Sequence, residues 1–309
     1  MNDLKGQHFL TLQDYSALQL ESILDLAFEL KARQKEGLPR HLLKGKTLAM
    51  IFQKPSTRTR VSFEVGMLQL GGHALFLSSG ELQMGRGEPI KDTATVLSRY
   101  VDGIMIRTSE HSEVEELAHY ATVPVINGLT NLLHPCQALS DLLTIKEKLG
   151  YLQGVKIAYV GDGNNVTHSL LLGCSKMGMF ISVGAPEGYH PQTEITNLAK
   201  ENADASGGSV KVLAEPAEAV KDAQVIYTDV WASMGQEMEK NSRKDKFGAY
   251  QVNEKLLSQA APDAIVMHCL PAYREEEIST RVLEGEHSVV LDQAENRLHA
   301  QKALMTLIL

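Results

Sequence analysis

The chain has 309 residues, 43% of them hydrophobic and 22% charged, the composition of a folded globular protein, which excludes disorder and leaves room for two domains. Its 30 Lys and Arg stand against 38 Asp and Glu, a net charge of −8, which argues against nucleic-acid binding. A cluster of Arg on so acidic a chain reads instead as a local pocket for a small anion.

The start, Met1-Asn2-Asp3-Leu4-Lys5, has no basic stretch leading into an apolar one, so no secretory signal is expected. No apolar run approaches the roughly 18 residues of a membrane span. Cys136, Cys174 and Cys269 are too scattered for a disulfide framework, and no CxxC pair suggests a zinc site. A cytoplasmic protein without a metal is the expectation.

Leu20 to Lys35 carries apolar residues at helical spacing. Leu43 to Thr47 looks like the tail of a phosphate-binding loop, but Arg40 stands where its first glycine belongs and the segment precedes a strand. The apolar run Thr47 to Phe52 reads as a buried strand, and Val61 to Leu70 as a helix. Between them, Lys54-Pro55-Ser56-Thr57-Arg58-Thr59-Arg60 offers hydroxyls, guanidiniums and the unpaired amides of a helix start, an anion site by composition and position.

Strands at His73–Leu77, Val101–Ile106 and Val123–Ile126 alternate with helices at Ile90–Tyr100 and Ser112–Tyr120. A Ser- and Gly-rich loop holding Gln83 follows the first of these strands. Arg107 falls at the end of the second. Pro135 opens a helix to about Leu149, which puts His134 and Gln137 at its N-terminus. Gly150 to Gly154 reads as a domain break, and the alternation restarts. Strands at 155–160, 180–183, 210–213, 225–228 and 265–267 are separated by helices ending near Met177, Ala205 and Lys221. No certain element follows Asp229 until about Val252, and such a long loop reads as a lid or binding loop. The last helix runs from about Gln293 to Leu307 and carries Arg297. The pattern predicts an α/β protein of two doubly wound domains with parallel central sheets, residues 1–149 with 293–309 and residues 150–292. Ligands in such sheets bind beyond the carboxyl ends of the strands, where Arg58, Arg107 and His134 converge on one edge.

Some residues admit more than one reading. Gly161-x-Gly163 follows a strand as a dinucleotide motif does, but Val166 replaces the third glycine, and a plain tight turn fits as well. Cys136, beside His134 at a helix start, is either an activated thiol or an inert buried one. Cys269, with His268, sits at a strand end. Asp229 also follows a strand and either binds an ammonium or caps its loop.

The motifs Ser56-Thr57-Arg58-Thr59-Arg60, His134-Pro135-Cys136-Gln137, Asp229 with Ser233-Met234-Gly235, and His268-Cys269-Leu270-Pro271 occur in this order along nearly the whole chain. Together they resemble the aspartate/ornithine carbamoyltransferase family, the last two pointing to its ornithine branch. The resemblance implies a first domain for carbamoyl phosphate and a second for L-ornithine, with the terminal helix returning to the first. By similarity, Ser56, Thr57, Arg58 and Thr59, with Gln83, hold the phosphate. Arg107 and the stretch His134, Pro135, Cys136 and Gln137 hold the carbamoyl end, and Arg297 completes that site. Asn165, Asp229, Ser233, Met234, Cys269 and Leu270 hold ornithine, with Asp229 and Cys269 favouring deprotonation of its reacting amine. Arg58, Arg107, His134, Asp229 and Cys269 carry the catalysis. The resemblance implies no cofactor, and a homotrimer or an assembly of trimers.

Overall fold

The computed structural model describes residues 4–78, 80, 82–232 and 240–309. The chain divides into two compact units, Met1–Leu143 with Asn296–Leu309, and Thr144–Glu295. Each is built round one parallel sheet covered by helices, so both faces of the sheet are apolar.

In the first unit, helix α1 (Ala17–Lys35) starts at a capping box between Ser16 and Gln19. Strand β1 (Thr47–Phe52) leads into α2 (Thr57–Gln69), β2 (His73–Ser78), α3 (Ile90–Leu97), β3 (Gly103–Arg107), α4 (His111–Tyr120), β4 (Val125–Leu129) and the start of α5 (Pro135–Leu149). The strand order is β2-β1-β3-β4. Central β3 is buried throughout, whereas edge strand β2 exposes His73, Leu75 and Phe76. One core layer packs Ala49, Ile51, Ile104 and Ile106 of the sheet against Val114 and Leu117 of α4. The C-terminal part of the last helix belongs to this unit.

In the second unit, β5 (Lys156–Val160), α6 (Asn165–Lys176), β6 (Phe180–Gly184), α7 (Thr193–Ser206), β7 (Ser209–Leu213), α8 (Pro216–Val220) and β8 (Val225–Thr228) alternate. Then come α9 (Lys240–Phe247), α10 (Glu254–Leu257), β9 (Ile265–His268), α11 (Thr280–Leu283) and α12 (Val290–Ile308), the last shared with the first unit. The strand order is β7-β6-β5-β8-β9. The sequence pattern misses α9. Its residues, Lys240 to Lys246, are polar or charged and show no apolar period, and the apolar residue that ends it, Phe247, packs on Trp231 and Tyr250. No helix among the described residues is long and apolar enough to cross a membrane.

Both sheets reverse direction beside their first strand. In the first, the chain leaves β1 for β2 on one side and returns to β3 on the other; in the second, β5 feeds β6 on one side and β8 lies on the other. Crevices form at the carboxyl ends of strands at such reversals. The register fixes what lines them. Phe52 of β1 faces Arg107 of β3. Val160, Thr228 and His268 share one rung of the second sheet, so Gly161, Asp229 and Cys269 stand just beyond it.

Candidate functional site

In the first unit, α2 begins at Thr57, four residues earlier than the apolar pattern indicates, so the Ser-Thr-Arg-Thr-Arg motif is the helix's first turn. Ser56 is its N-cap, with Oγ accepting the Thr59 amide at 3.2 Å. Thr59 is fully buried, and its Oγ1 accepts from Nη2 of Arg297 at 3.0 Å. Nη1 of Arg297 donates to Oε1 of Gln137 at 3.0 Å, and Gln137 in turn donates to Asp141 at 2.8 Å. A buried guanidinium thus locks the first turns of α2 and α5 together. It keeps its planar fork oriented, which a lysine in its place would not do.

His134, just before α5, is 6% exposed. Burial holds its pKa well below 6.5, and the positive charges of Arg297, Arg107 and Arg58 push it further the same way. Its imidazole is therefore neutral at pH 7, and it senses three guanidiniums drawn from α2, β3 and α12. Lys54 joins them: burial and the charge of Arg107 lower its pKa, and Nζ donates to Oδ1 of Asn131 at 2.6 Å. Arg107 and Arg297 are buried, Arg58 is exposed. Such a cluster at a helix N-terminus suits a multiply charged oxyanion.

The other arginine of the motif does not join the cluster. Arg60 pairs with Glu64 one turn on at 3.0 Å and lies over the Phe76 ring at 3.8 Å. Cys136 answers the question its position raised. It is fully buried, its Sγ donates to the Asn127 carbonyl at 3.4 Å, and burial pushes its thiol up to about 12. It is no nucleophile. Pro135 is buried beside it, Thr57 is exposed, and Gln83 opens a short 3-10 turn with its side chain exposed.

In the second unit, Asp229 is the centre. Its Oδ2 accepts from Nδ2 of Asn164 at 2.8 Å, and its Oδ1 from the Cys269 thiol at 3.0 Å. Asn164 also caps α6, its Oδ1 taking the amides of Val166 and Thr167, and Asn165 is the first helical residue. This occupies the helix N-terminus that a dinucleotide would need. A Cβ on Gly163 would lie 2.2 Å from the Pro191 nitrogen and 2.7 Å from the Tyr189 carbonyl. The glycine is there because the chain's own 189–191 backbone packs on it, which makes Gly161-x-Gly163 a tight turn rather than a nucleotide cradle.

The turn after β9 is held from beneath. His268 Nδ1 accepts the Leu270 amide at 2.9 Å, which leaves Nε2 to carry the proton donated to Oε1 of Glu277 at 3.0 Å. Glu277 also accepts the Tyr273 amide, and the His268 amide bonds Gln293. These bonds keep Leu270 at φ 57°, a left-handed backbone that costs a side-chain-bearing residue about 1–3 kcal/mol. The same bonds hold Cys269 and the Leu270 backbone in place. Glu277 and Gln293 carry no motif of their own; Glu277 closes the charged run that begins at Arg274 and Gln293 stands at the expected start of the last helix, and neither position signals its role in the turn. Ligand atoms of Asp229, His268 and Cys269 lie within 4.8 Å of one another, but both His268 nitrogens are engaged, which leaves a poor metal donor set.

Arg243 of α9 donates to Asp162 at 2.9 Å and to the Trp231 carbonyl at 2.7 Å, which ties the end of the segment after β8 to the turn after β5. Ser233 and Met234 lie outside the described residues.

The sequence matches two family descriptions, "Aspartate/ornithine carbamoyltransferase, carbamoyl-P binding domain" over residues 7–147 and "Aspartate/ornithine carbamoyltransferase, Asp/Orn binding domain" over residues 153–308. It is 60% identical over 306 residues, 99% of this chain and 98% of the relative, to the ornithine carbamoyltransferase of Anoxybacillus flavithermus. It is 58% identical over 306 residues, 99% of this chain and 97% of the relative, to the anabolic ornithine carbamoyltransferase of Pyrococcus furiosus. The solved structure of the Pyrococcus furiosus ornithine carbamoyltransferase superposes with a TM-score of 0.97 at 58% identity, covering 100% of this chain and 98% of that one.

Proposed function

The chain belongs to the aspartate/ornithine carbamoyltransferase family, and from that premise we propose that it transfers the carbamoyl group of carbamoyl phosphate to the δ-amine of L-ornithine, giving L-citrulline and phosphate. The observation that carries the reading is identity near 60%, across 99% of the chain, to proteins named for that activity. The two clusters match the chemistry the reaction demands.

The phosphate sits at the N-terminus of α2, held by Ser56, Thr57, Arg58 and Thr59 with Gln83. Arg107, His134 and Gln137 take the carbamoyl group, with Pro135 and Cys136 contributing backbone only, and Arg297 completes the cradle. As the amine attacks, charge builds on the carbonyl oxygen. Fixed donors already aimed there stabilise it without reorganising. A neutral His134 suits this role, because it donates a hydrogen bond without trapping the proton the reaction must shed. Arg58, the exposed member of the set, stays with the departing phosphate. No cofactor is required, since phosphate is itself the leaving group.

Ornithine lies along Asn165, Asp229, Ser233, Met234, Cys269 and Leu270. The family resemblance implies that Asp229 and Cys269 hold the reacting amine and favour its deprotonation. A carboxylate beside an ammonium favours its charged form, however. We therefore assign Asp229 to holding the cationic substrate and the strained Leu270 turn to aiming its chain, and leave the proton to the solvent. An alkylammonium has a pKa near 10, so kcat/KM for ornithine should rise nearly tenfold per pH unit from about 7 to 9. Much of the remaining acceleration is orientation of two bound molecules.

The reading extends to a cytoplasmic enzyme of arginine biosynthesis that works as a homotrimer or an assembly of trimers. The exposed apolar side chains Val61, Leu75 and Phe76, on α2 and the edge strand β2, support association, since such exposure on an edge is a pairing surface. Purified protein given carbamoyl phosphate and ornithine should form citrulline; aspartate in place of ornithine should give nothing. Absence of citrulline at every pH from 7 to 9 would refute the assignment, and light scattering at the monomer mass would refute the trimer.

A further inference from the structure

Beside the C-terminal ends of α1 and α2 lies a cavity of about 280 Å³, formed within the first unit and away from the cluster around His134. Leu30, Leu38, Leu68 and Leu70 give it apolar walls, and Lys302 of α12 gives it a positive group. Lys302 is only 4% exposed. Its Nζ donates to Oε1 of Gln34 at 2.8 Å and to Oε1 of Gln69 at 2.9 Å. Both acceptors are neutral amides, and no carboxylate bonds this ammonium among the described residues. A buried cation without a counter-ion is costly. The nearby guanidiniums do not relieve it. Arg33 of α1 and Arg40 of the following turn line the same cavity and converge on one oxygen of Glu29, at 2.9 and 2.7 Å, so two cations share one carboxylate. His41 adds a further base to the wall.

We propose that this cavity is a binding site for a small organic carboxylate with a short apolar tail, its carboxylate pairing with Lys302 and its tail lying along Leu30, Leu38 and Leu68. The volume is at the small end for ligand sites and suits an acid of a few carbons. Burial lowers the Lys302 pKa to about 8, which is what an ammonium short of compensation should show, and an incoming carboxylate supplies the missing charge. The site is also placed to be felt elsewhere. Gln69 ends α2 and Lys302 holds it, while Thr59 in the first turn of the same helix is held by Arg297. Between these ties Gly66 lets α12 approach closely, a Cβ there lying 3.0 Å from Met305. A ligand at one end of α2 thus acts on a helix clamped along its length.

The test is titration of the full-length protein with 4-methylpentanoate at pH 7, followed by saturation-transfer NMR, with 4-methylpentanamide as the neutral control. The carboxylate should bind saturably in the millimolar range, and the amide at least tenfold more weakly. Lys302→Met should weaken the carboxylate at least tenfold. Leu38→Trp, at an exposed position, should fill the cavity and do the same while leaving Lys302 in place, which keeps the test decisive if Lys302→Met does not fold. Raising the pH from 7 to 9.5 should release the ligand as the ammonium loses its proton. Equal affinity for acid and amide, unchanged affinity in either folded variant, or no saturable binding of the acid would overturn the proposal.

Discussion

The cluster round His134 and the cluster round Asp229 solve opposite problems. In the first, three guanidiniums converge on His134, and the framework is tied by Arg297 to Thr59 and Gln137. In the second, one carboxylate has both oxygens already occupied, by Asn164 and Cys269. The first concentrates positive charge in a frame pre-organised at the expense of burying guanidiniums. The second is a satisfied network, which on the proposed assignment a substrate enters by sharing bonds. The lesson is that affinity for an anion can be built into a rigid frame, whereas selection of an amine rests on displaceable hydrogen bonds.

The largest effect should come from removing a buried member of the cationic set. Arg107→Ala should lower kcat/KM for carbamoyl phosphate by about 10²- to 10³-fold, the usual loss for one oxyanion donor, read by citrulline formation. A loss under tenfold would mean that the cluster is not the charged half of the contrast. Next, Asp229→Asn removes a charged partner for the substrate amine, worth about 1.5–3 kcal/mol, so the ornithine KM should rise tenfold or more while phosphate binds as before. If phosphate affinity fell equally, the two clusters would not be separable.

Arg297→Lys keeps the charge and loses the fork that spans Thr59 and Gln137. Urea unfolding should show a destabilisation of about 1.5–3 kcal/mol, the scale of hydrogen bonds to a charged group. Unchanged stability would show that the frame is held by packing alone. The smallest effect is pH-linked. His134 titrates below its ordinary value of 6.5 in the folded protein. As pH falls below that value, the unfolded chain binds a proton that the native chain refuses, so native stability drops; above it the contribution is complete. The fall in Tm between pH 7.5 and 5.5 should therefore shrink in His134→Gln. An identical fall in both proteins would place the acid sensitivity in other groups.

Much of this was legible along the chain. Apolar runs bounded by polar turns gave every strand to within a few residues, and chemistry-bearing residues fell at strand ends. What escaped had no local signal. The start of α2 inside the Ser56–Arg60 motif depends on a cap and on burial of Thr59, neither of which apolar periodicity reports. Arg58 and Arg60 looked equivalent in sequence, yet Glu64 and Phe76 draw Arg60 aside. Helix α9 is too polar to show a period. Lys302 acquires meaning only through partners far along the chain, Gln69 lying 233 residues before it, and Glu277 only through the fold of the turn that brings His268 and Tyr273 onto it.

By itself, then, the sequence determined the alternation of strands and helices, the parallel sheets and the carboxyl-edge position of Arg107, Asp229 and Cys269, because these follow from short-range periodicity and strand direction. Only the tertiary structure decided which side chains face one another: Arg297 on Thr59 across 238 residues, the thiol of Cys269 on Asp229, a neutral His134 among guanidiniums, and a buried lysine held by two glutamines. Those outcomes depend on desolvation and on distances between elements remote in sequence, and both quantities exist only once the chain has folded.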